Sequence, residues 1–310
     1  MTLPTLLEGR LSLPLIGSPM FIISQPALVM AQCRAGIVGA FPSLNARPSG
    51  MFETWLLQLQ AELTDADAPF AVNLIVHRTN ARLEEDLALC VKYRVPIVIT
   101  SLGAREDVNA AVHSYGGIVL HDIINDMFAR KAIEKGADGL IAVAAGAGGH
   151  AGTLSPFALI QEIRQWFDGP LALSGSIATG RAIAAARMMG ADLGYMGSPF
   201  IATAEANADP AYKQMIVDSQ AADIVYSDVF TGVHGNYLRP SIVASGLDPD
   251  ALPKAKDMDF AAMTGGDKKA WRDVWGCGQG IGAVDKVQPT ADFVAGLKAD
   301  YRAAVTGLTL

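Results

Sequence analysis

Short, unbroken apolar runs recur along this chain with a helix-like segment after each, and that alternation constrains the fold more than any other feature. The runs are PLIGSPM (14–20), GIVGAF (36–41), FAVNLIV (70–76), PIVITS (96–101), GIVLHD (117–122), GLIAVAA (139–145), PLALSG (170–175) and LGYMGS (193–198). They are continuous rather than alternating and rich in Val, Ile and Leu, as parallel strands covered on both faces read. The segments between them carry apolar residues at helical spacing, for example Leu159, Ile160, Ile163 and Phe167. Ser155 before Pro156 marks a helix start. Eight strand–helix units predict a (β/α)8 TIM barrel, because a doubly wound open sheet usually needs only five or six.

The rhythm changes after about residue 210. We expect 1–209 and 276–310 to form the barrel and 210–275 to form a small, mostly helical second domain, inserted before the C-terminal helix and lying over the mouth. The chain has 310 residues, 51% hydrophobic and 18% charged, which suits a large buried core and excludes disorder. A formal net charge of −7 leaves no basic footprint for nucleic acid and little attraction to anionic lipid. No apolar run approaches the ~20 residues of a membrane helix. Cys33, Cys90 and Cys277 are far apart and form no CxxC pair, so reduced thiols in a cytoplasmic protein are expected. The N-terminus carries no secretory leader pattern.

In a barrel of this type the active site is built at the carboxyl ends of the strands. The loop AGAGGHAG (145–152) follows the sixth run and places His150 on that side. Its glycines let backbone approach a flat or anionic ligand and leave the imidazole unshielded. The loop also matches G-x-G-x-x-A, but the dinucleotide reading fails because the next run ends in Ser174 and Gly175 without an acid. Gly175-Ser176 and Gly197-Ser198 follow the seventh and eighth runs, where barrels often hold a phosphate. Ser18-Pro19-Met20 follows the first run, and Met20 is suited to packing on a ring. Asn73 lies inside the third run; its amide is satisfied either by backbone or by the edge of a cofactor. His121 ends the fifth run and is a candidate for the mouth. The five histidines show no metal-ligand spacing, so no metal is expected. No G-x-S-x-G elbow occurs, and Cys277, flanked by glycines, reads as a packed residue rather than a nucleophile.

Taken together, Ser18-Pro19-Met20, Asn73, AGGHAG (147–152), SGSIATGRA (174–182), MGSPF (196–200) and GQGIG (278–282) resemble the nitronate monooxygenase (2-nitropropane dioxygenase) family over nearly the whole chain. The resemblance implies an FMN-dependent barrel flavoprotein. It implies that Gly175, Ser176, Gly197 and Ser198 hold the FMN phosphate, and that Met20, Asn73, Gly148, Gln279 and Gly280 line the ring or ribityl chain. With Ser18, His121, Gly149 and Ser174 these make up the expected cofactor set, and His150 is the expected catalytic residue, handling the substrate proton or orienting the nitronate. Two positions depart from the family pattern. Val143 and Gly146 stand where Q-G-x-E-A-G-G-H has Gln and Glu, and His234 and Asn236 replace an Arg-bearing T-G-R-P-A-R segment. His234 and Asn236 are therefore the expected substrate-side residues.

The expected reaction is oxidation of small alkyl nitronates with O2 by a monomer or homodimer. The alternatives are an NAD(P)H-dependent flavin reductase acting on quinones or enoyl thioesters, and a non-redox barrel lyase or isomerase of a phosphorylated metabolite. Bleaching by NADH without nitronate favours the first alternative, and a colourless protein favours the second.

Overall fold

In the computed structural model, which describes residues 3–252 and 274–307, each of the eight apolar runs forms a strand. The order is β1 (Leu15–Gly17), α1 (Pro26–Arg34), β2 (Gly39–Pro42), α2 (Met51–Glu62), β3 (Phe70–Ile75), α3 (Leu83–Lys92), β4 (Ile97–Ser101), α4 (Glu106–His113), β5 (Ile118–Ile123), α5 (Asp126–Glu134) and β6 (Gly139–Val143). Then follow β7 (Gly149–His150), α6 (Pro156–Arg164), β8 (Leu171–Ser174), α7 (Gly180–Met188), β9 (Leu193–Met196), α8 (Ser198–Ile201) and α9 (Pro210–Asp218). β10 (Ile224–Ser227), β11 (Gly235–Leu238), α10 (Arg239–Ala244) and α11 (Thr290–Thr306) complete the described chain.

Eight strands make one parallel sheet in the order β1-β9-β8-β6-β5-β4-β3-β2. A parallel bridge from Ile16 to Val38 joins its two edges, so the sheet curls into a barrel. β1 stops after Gly17 because Pro19 has no N–H to continue the ladder. The barrel interior is apolar, filled by residues such as Ile16, Ala71, Ile99, Leu120, Ala172 and Leu193. Side chains two positions along a strand share a face. Two positions beyond those six stand Ser18, Asn73, Ser101, Asp122, Ser174 and Tyr195. The barrel therefore ends, at its carboxyl rim, in a polar layer on an apolar plug.

The helices close against the outside of the sheet. α7 and α11 meet at Gly180, where a Cβ would lie 2.2 Å from the Leu297 carbonyl oxygen and 2.3 Å from the Tyr301 nitrogen. Gly180→Ala must force two backbones apart. We expect a destabilisation of about 1–3 kcal/mol, measured as a lower urea midpoint at unchanged slope.

Between α9 and α10 the chain forms the hairpin β10–β11, and β11 pairs with β7 across the barrel mouth. Of the segment 210–275, residues 253–273 lie outside the described residues. Among the described residues no helix is long and apolar enough to cross a membrane.

Candidate active site

A cavity of about 890 Å³ opens over the polar layer. That volume is at the upper end of the roughly 300–1,000 Å³ typical of ligand pockets, enough for a cofactor and a small substrate together. Ser18, Met20, Asn73, His121, Gly148, Gly149, His150, Ser174, Gly197, Ser198 and His234 all border it. The expected residues Gly175, Ser176, Gln279, Gly280 and Asn236 do not.

Gly146 explains where Ser176, Gln279 and Gly280 went. Its backbone is left-handed (φ 82°), and a Cβ there would lie 2.2 Å from Ser176 Oγ and 2.9 Å from Gln279 Oε1. Its carbonyl accepts the N–H groups of Ser176 and Gln279 at 3.2 and 2.9 Å. Where the family pattern has Glu, this chain has no side chain, and Ser176 and Gln279 fill the space. Gly280 packs within 3.0 Å of the Ser176 backbone, measured from the Cβ it lacks. These residues form a layer behind the rim that holds the glycine loop. Asn236 is buried, and its Nδ2 donates to the Ala147 carbonyl at 2.6 Å, tying β11 to the same loop.

His150 owes its position to β-pairing. Gly149 and His150 pair with Asn236 and Gly235, so the loop becomes an edge strand of the hairpin sheet. His150 Nε2 lies 3.0 Å from Thr231 Oγ1, and that hydroxyl donates to the Val233 carbonyl at 2.9 Å. A hydroxyl has one proton to give, so the network assigns the N–H to His150 Nε2 and leaves the lone pair on Nδ1. The ring borders the cavity but is enclosed by protein elsewhere, and burial pushes its pKa down to about 4. It is neutral at physiological pH. Thr231→Val keeps the shape and removes the acceptor. The change removes the contact to His150 and the two to the Val233 backbone, each worth about 1 kcal/mol, and is expected to lower turnover several-fold, which steady-state kinetics will show.

His121 and Asp122 point to opposite faces of β5. His121 Nδ1 pairs with Thr100 Oγ1 at 2.6 Å, and burial pushes its pKa down to about 4 as well. Asp122 belongs to the polar layer. Its Oδ2 accepts from Ser101 Oγ at 2.6 Å, and Ser101 Oγ accepts from Asn73 Nδ2 at 2.8 Å. Asn73 Nδ2 also donates to the Ile99 carbonyl at 3.0 Å. Burial raises the Asp122 carboxyl to about 6, against the donor effect of Ser101.

These shifts have a sign for stability. The unfolded imidazole protonates near 6.5, whereas folded His121 and His150 stay neutral down to about 4. The unfolded state therefore binds more protons in that window, and the fold loses stability as pH falls through it. Asp122 opposes this, because a raised carboxyl loses its contribution as pH rises through about 6. Two histidines outweigh one carboxyl, so the melting temperature is expected to fall between roughly pH 7 and pH 4.5. His150→Asn should flatten that fall; an unaltered fall would assign the acid sensitivity to other groups.

Sequence reasoning missed five contributors. Asp122 and Ser101 were legible as alternate residues of their strands, two beyond Leu120 and Ile99. Thr231 and the cavity-bordering cations Arg47 and Lys131 come from loops and a helix with no sequence signal of their own. Arg47 lies over the Phe21 ring, 5.4 Å from its centroid. His234 stacks on Tyr226 at 5.0 Å, and Tyr226 donates to the Ala151 carbonyl at 2.9 Å.

A flavin mononucleotide needs a flat slot with polar edges and an anion-tolerant turn, and the residues present fit it. The polar layer supplies donors and acceptors, including an Asp122 Oδ1 that is buried with no partner. The Gly197-Ser198 turn borders the cavity, and Ser198 Oγ already accepts from Gly278 N at 2.7 Å, leaving its proton available to an anion.

A family model described as nitronate monooxygenase matches residues 9–300. A nitronate monooxygenase of Paraburkholderia phytofirmans is 25% identical, the alignment covering 95% of this chain and 94% of that protein. The (3aS,4S,5R,7aS)-5-hydroxy-7a-methyl-1-oxo-octahydro-1H-indene-4-carboxyl-CoA dehydrogenase of Rhodococcus jostii is also 25% identical, over 81% of this chain and 71% of its own. Among solved structures, nitroalkane oxidase from Streptomyces ansochromogenes superposes with a TM-score of 0.83 at 24% identity, covering 98% of this chain and 100% of that one. FabK from Thermotoga maritima reaches 0.79 at 24%, over 98% and 96%.

Proposed function

The chain belongs to the nitronate monooxygenase family and is an oxidoreductase, and from that premise we propose that it binds FMN and oxidises small alkyl nitronates with O2. Bound FMN would supply the electron-transfer and oxygen chemistry. Gly197 and Ser198 would hold its phosphate, backed by the layer of Gly175, Ser176, Gln279 and Gly280. Met20, Gly148 and Gly149 would flank the ring, with Ser18, Asn73, His121 and Ser174 at its edges. The hairpin β10–β11, within the proposed second domain 210–275, serves as the lid.

The observation that carries this reading is a neutral His150 on a lid strand, bordering the same cavity as Asn73 and Ser198. A group with a pKa of about 4 is a poor base for an ordinary carbon acid and a poor proton donor at neutral pH. A nitronate arrives already deprotonated and needs neither. With its N–H on Thr231, His150 offers the anion a donor only after the anion's charge has raised its proton affinity and Nδ1 has taken a proton; it then orients the nitronate. Arg47 and Lys131 border the cavity and supply the positive field that attracts an anion.

A second reading, an NAD(P)H-dependent flavin reductase acting on quinones or enoyl thioesters, draws on the CoA dehydrogenase among the relatives. Anaerobic mixing separates the two. Propyl nitronate is expected to bleach the flavin faster than NADPH does; the reverse order would favour the reductase reading.

A further inference from the structure

Asp122 is the one carboxyl group among the described residues that borders the cavity, and the proposed reaction gives it no part. It is held by geometry. Asn73 donates to Ser101 at 2.8 Å and Ser101 donates to Asp122 Oδ2 at 2.6 Å, so the carboxyl is fixed at the carboxyl rim of the barrel. Its other oxygen, Oδ1, is buried and has no partner. Among the described residues no cation pairs with it. A buried carboxylate without a cation or a second donor is costly. Oδ1 itself is closed off, but the residue as a whole is partly exposed and borders the cavity, so a donor bound there can meet the carboxylate at its exposed part, and otherwise the carboxyl is relieved by taking a proton.

We propose that Asp122 accepts a hydrogen-bond donor from the ring of the bound flavin and, through its own charge, sets how readily that ring takes up electrons. The inference rests on the FMN reading above. A carboxylate opposes the build-up of negative charge beside it. When the substrate delivers two electrons to the cofactor, Asp122 takes one proton from solvent and ends that half of the reaction as a carboxylic acid. When O2 removes the electrons, Asp122 returns the proton. No carbon bond is made or broken at Asp122.

The groups that share its surroundings do not titrate in the same window. Tyr195, from β9, is held neutral by burial and by the Asp122 charge itself. His150, across the cavity, and His121, on the opposite face of β5, are both pushed down to about 4. Asp122 is pushed up to about 6. Arg47 and Lys131 border the cavity as cations, and His234 stands at the lid; a His234→Gln control removes the last imidazole from consideration.

The test is the midpoint potential of the purified holoenzyme, by dye equilibration between roughly pH 5 and 8.5, for wild type, Asp122→Asn and Ser101→Ala. At the alkaline end Asp122→Asn is expected to favour the reduced flavin at least tenfold more than wild type, which for a two-electron couple is about 30 mV. At the acid end the two should converge. Ser101→Ala removes a donor to the carboxylate, so its convergence point should move to higher pH. Should Asp122→Asn fail to retain flavin, wild type against Ser101→Ala still decides, and the shift must appear. Equal potentials, or a gap constant with pH, would overturn the role of Asp122 while leaving the cofactor reading intact. A wild-type protein that binds no flavin would remove both.

Discussion

Replacing His150 with alanine is expected to lower turnover by about 10²–10⁴-fold, the range for a positioned acid–base or orienting group, while FMN stays bound. The expectation follows from how the residue is held. β7 is two residues long and is kept in place by its pairing with β11, and the imidazole adds one hydrogen bond to Thr231. Alanine keeps the backbone pairing and removes only the ring. The melting temperature should therefore move little near neutral pH. His150→Asn tests the finer point, because it can hydrogen-bond but cannot titrate. If asparagine restores much of the turnover, the residue orients substrate; if it behaves like alanine, proton handling dominates. Unchanged turnover in both variants would remove His150 from the reaction.

Gly197→Val is expected to weaken FMN retention about 100-fold, or about 2.8 kcal/mol. A Cβ at Gly197 would lie 3.2 Å from Ser18 Cβ and 3.4 Å from Met20 Sδ. Those neighbours must yield by tenths of an ångström, and the two valine methyls then crowd the turn proposed to hold the phosphate. Fluorescence titration of the apoprotein with FMN measures the effect, and a thermal melt separates it from unfolding. Gly175→Val would be a poorer probe. A Cβ there would sit 2.7 Å from the Ala145 carbonyl at a φ of 132°, so the turn itself would break whether or not it holds a phosphate.

The barrel was legible because each of its strands is a short apolar run ended by a turn, and the rule that sites sit at strand carboxyl ends pointed to His150, Asn73 and Gly197-Ser198, which all border the cavity. What was not legible is long-range. Nothing local marks Gly149–His150 as a strand; its partner lies in Gly235–Asn236, beyond four helices. Asn236 has the chemistry of a substrate contact, and only the folded chain shows its Nδ2 tied to the Ala147 carbonyl and its side chain outside the cavity lining. In GIVLHD the imidazole drew attention over its neighbour, although strand alternation from Leu120 puts Asp122 on the inward face. Gly146 looked like a lost functional group, and only the structure shows Ser176 and Gln279 occupying its place.

The central claim is that this cavity holds one FMN per chain, and its most direct test is the flavin-to-protein ratio after reconstitution with FMN and gel filtration. The account predicts a ratio near unity for the wild-type protein and a marked fall for Gly197→Val. A colourless wild-type protein, or a flavin content untouched by Gly197→Val, would contradict it.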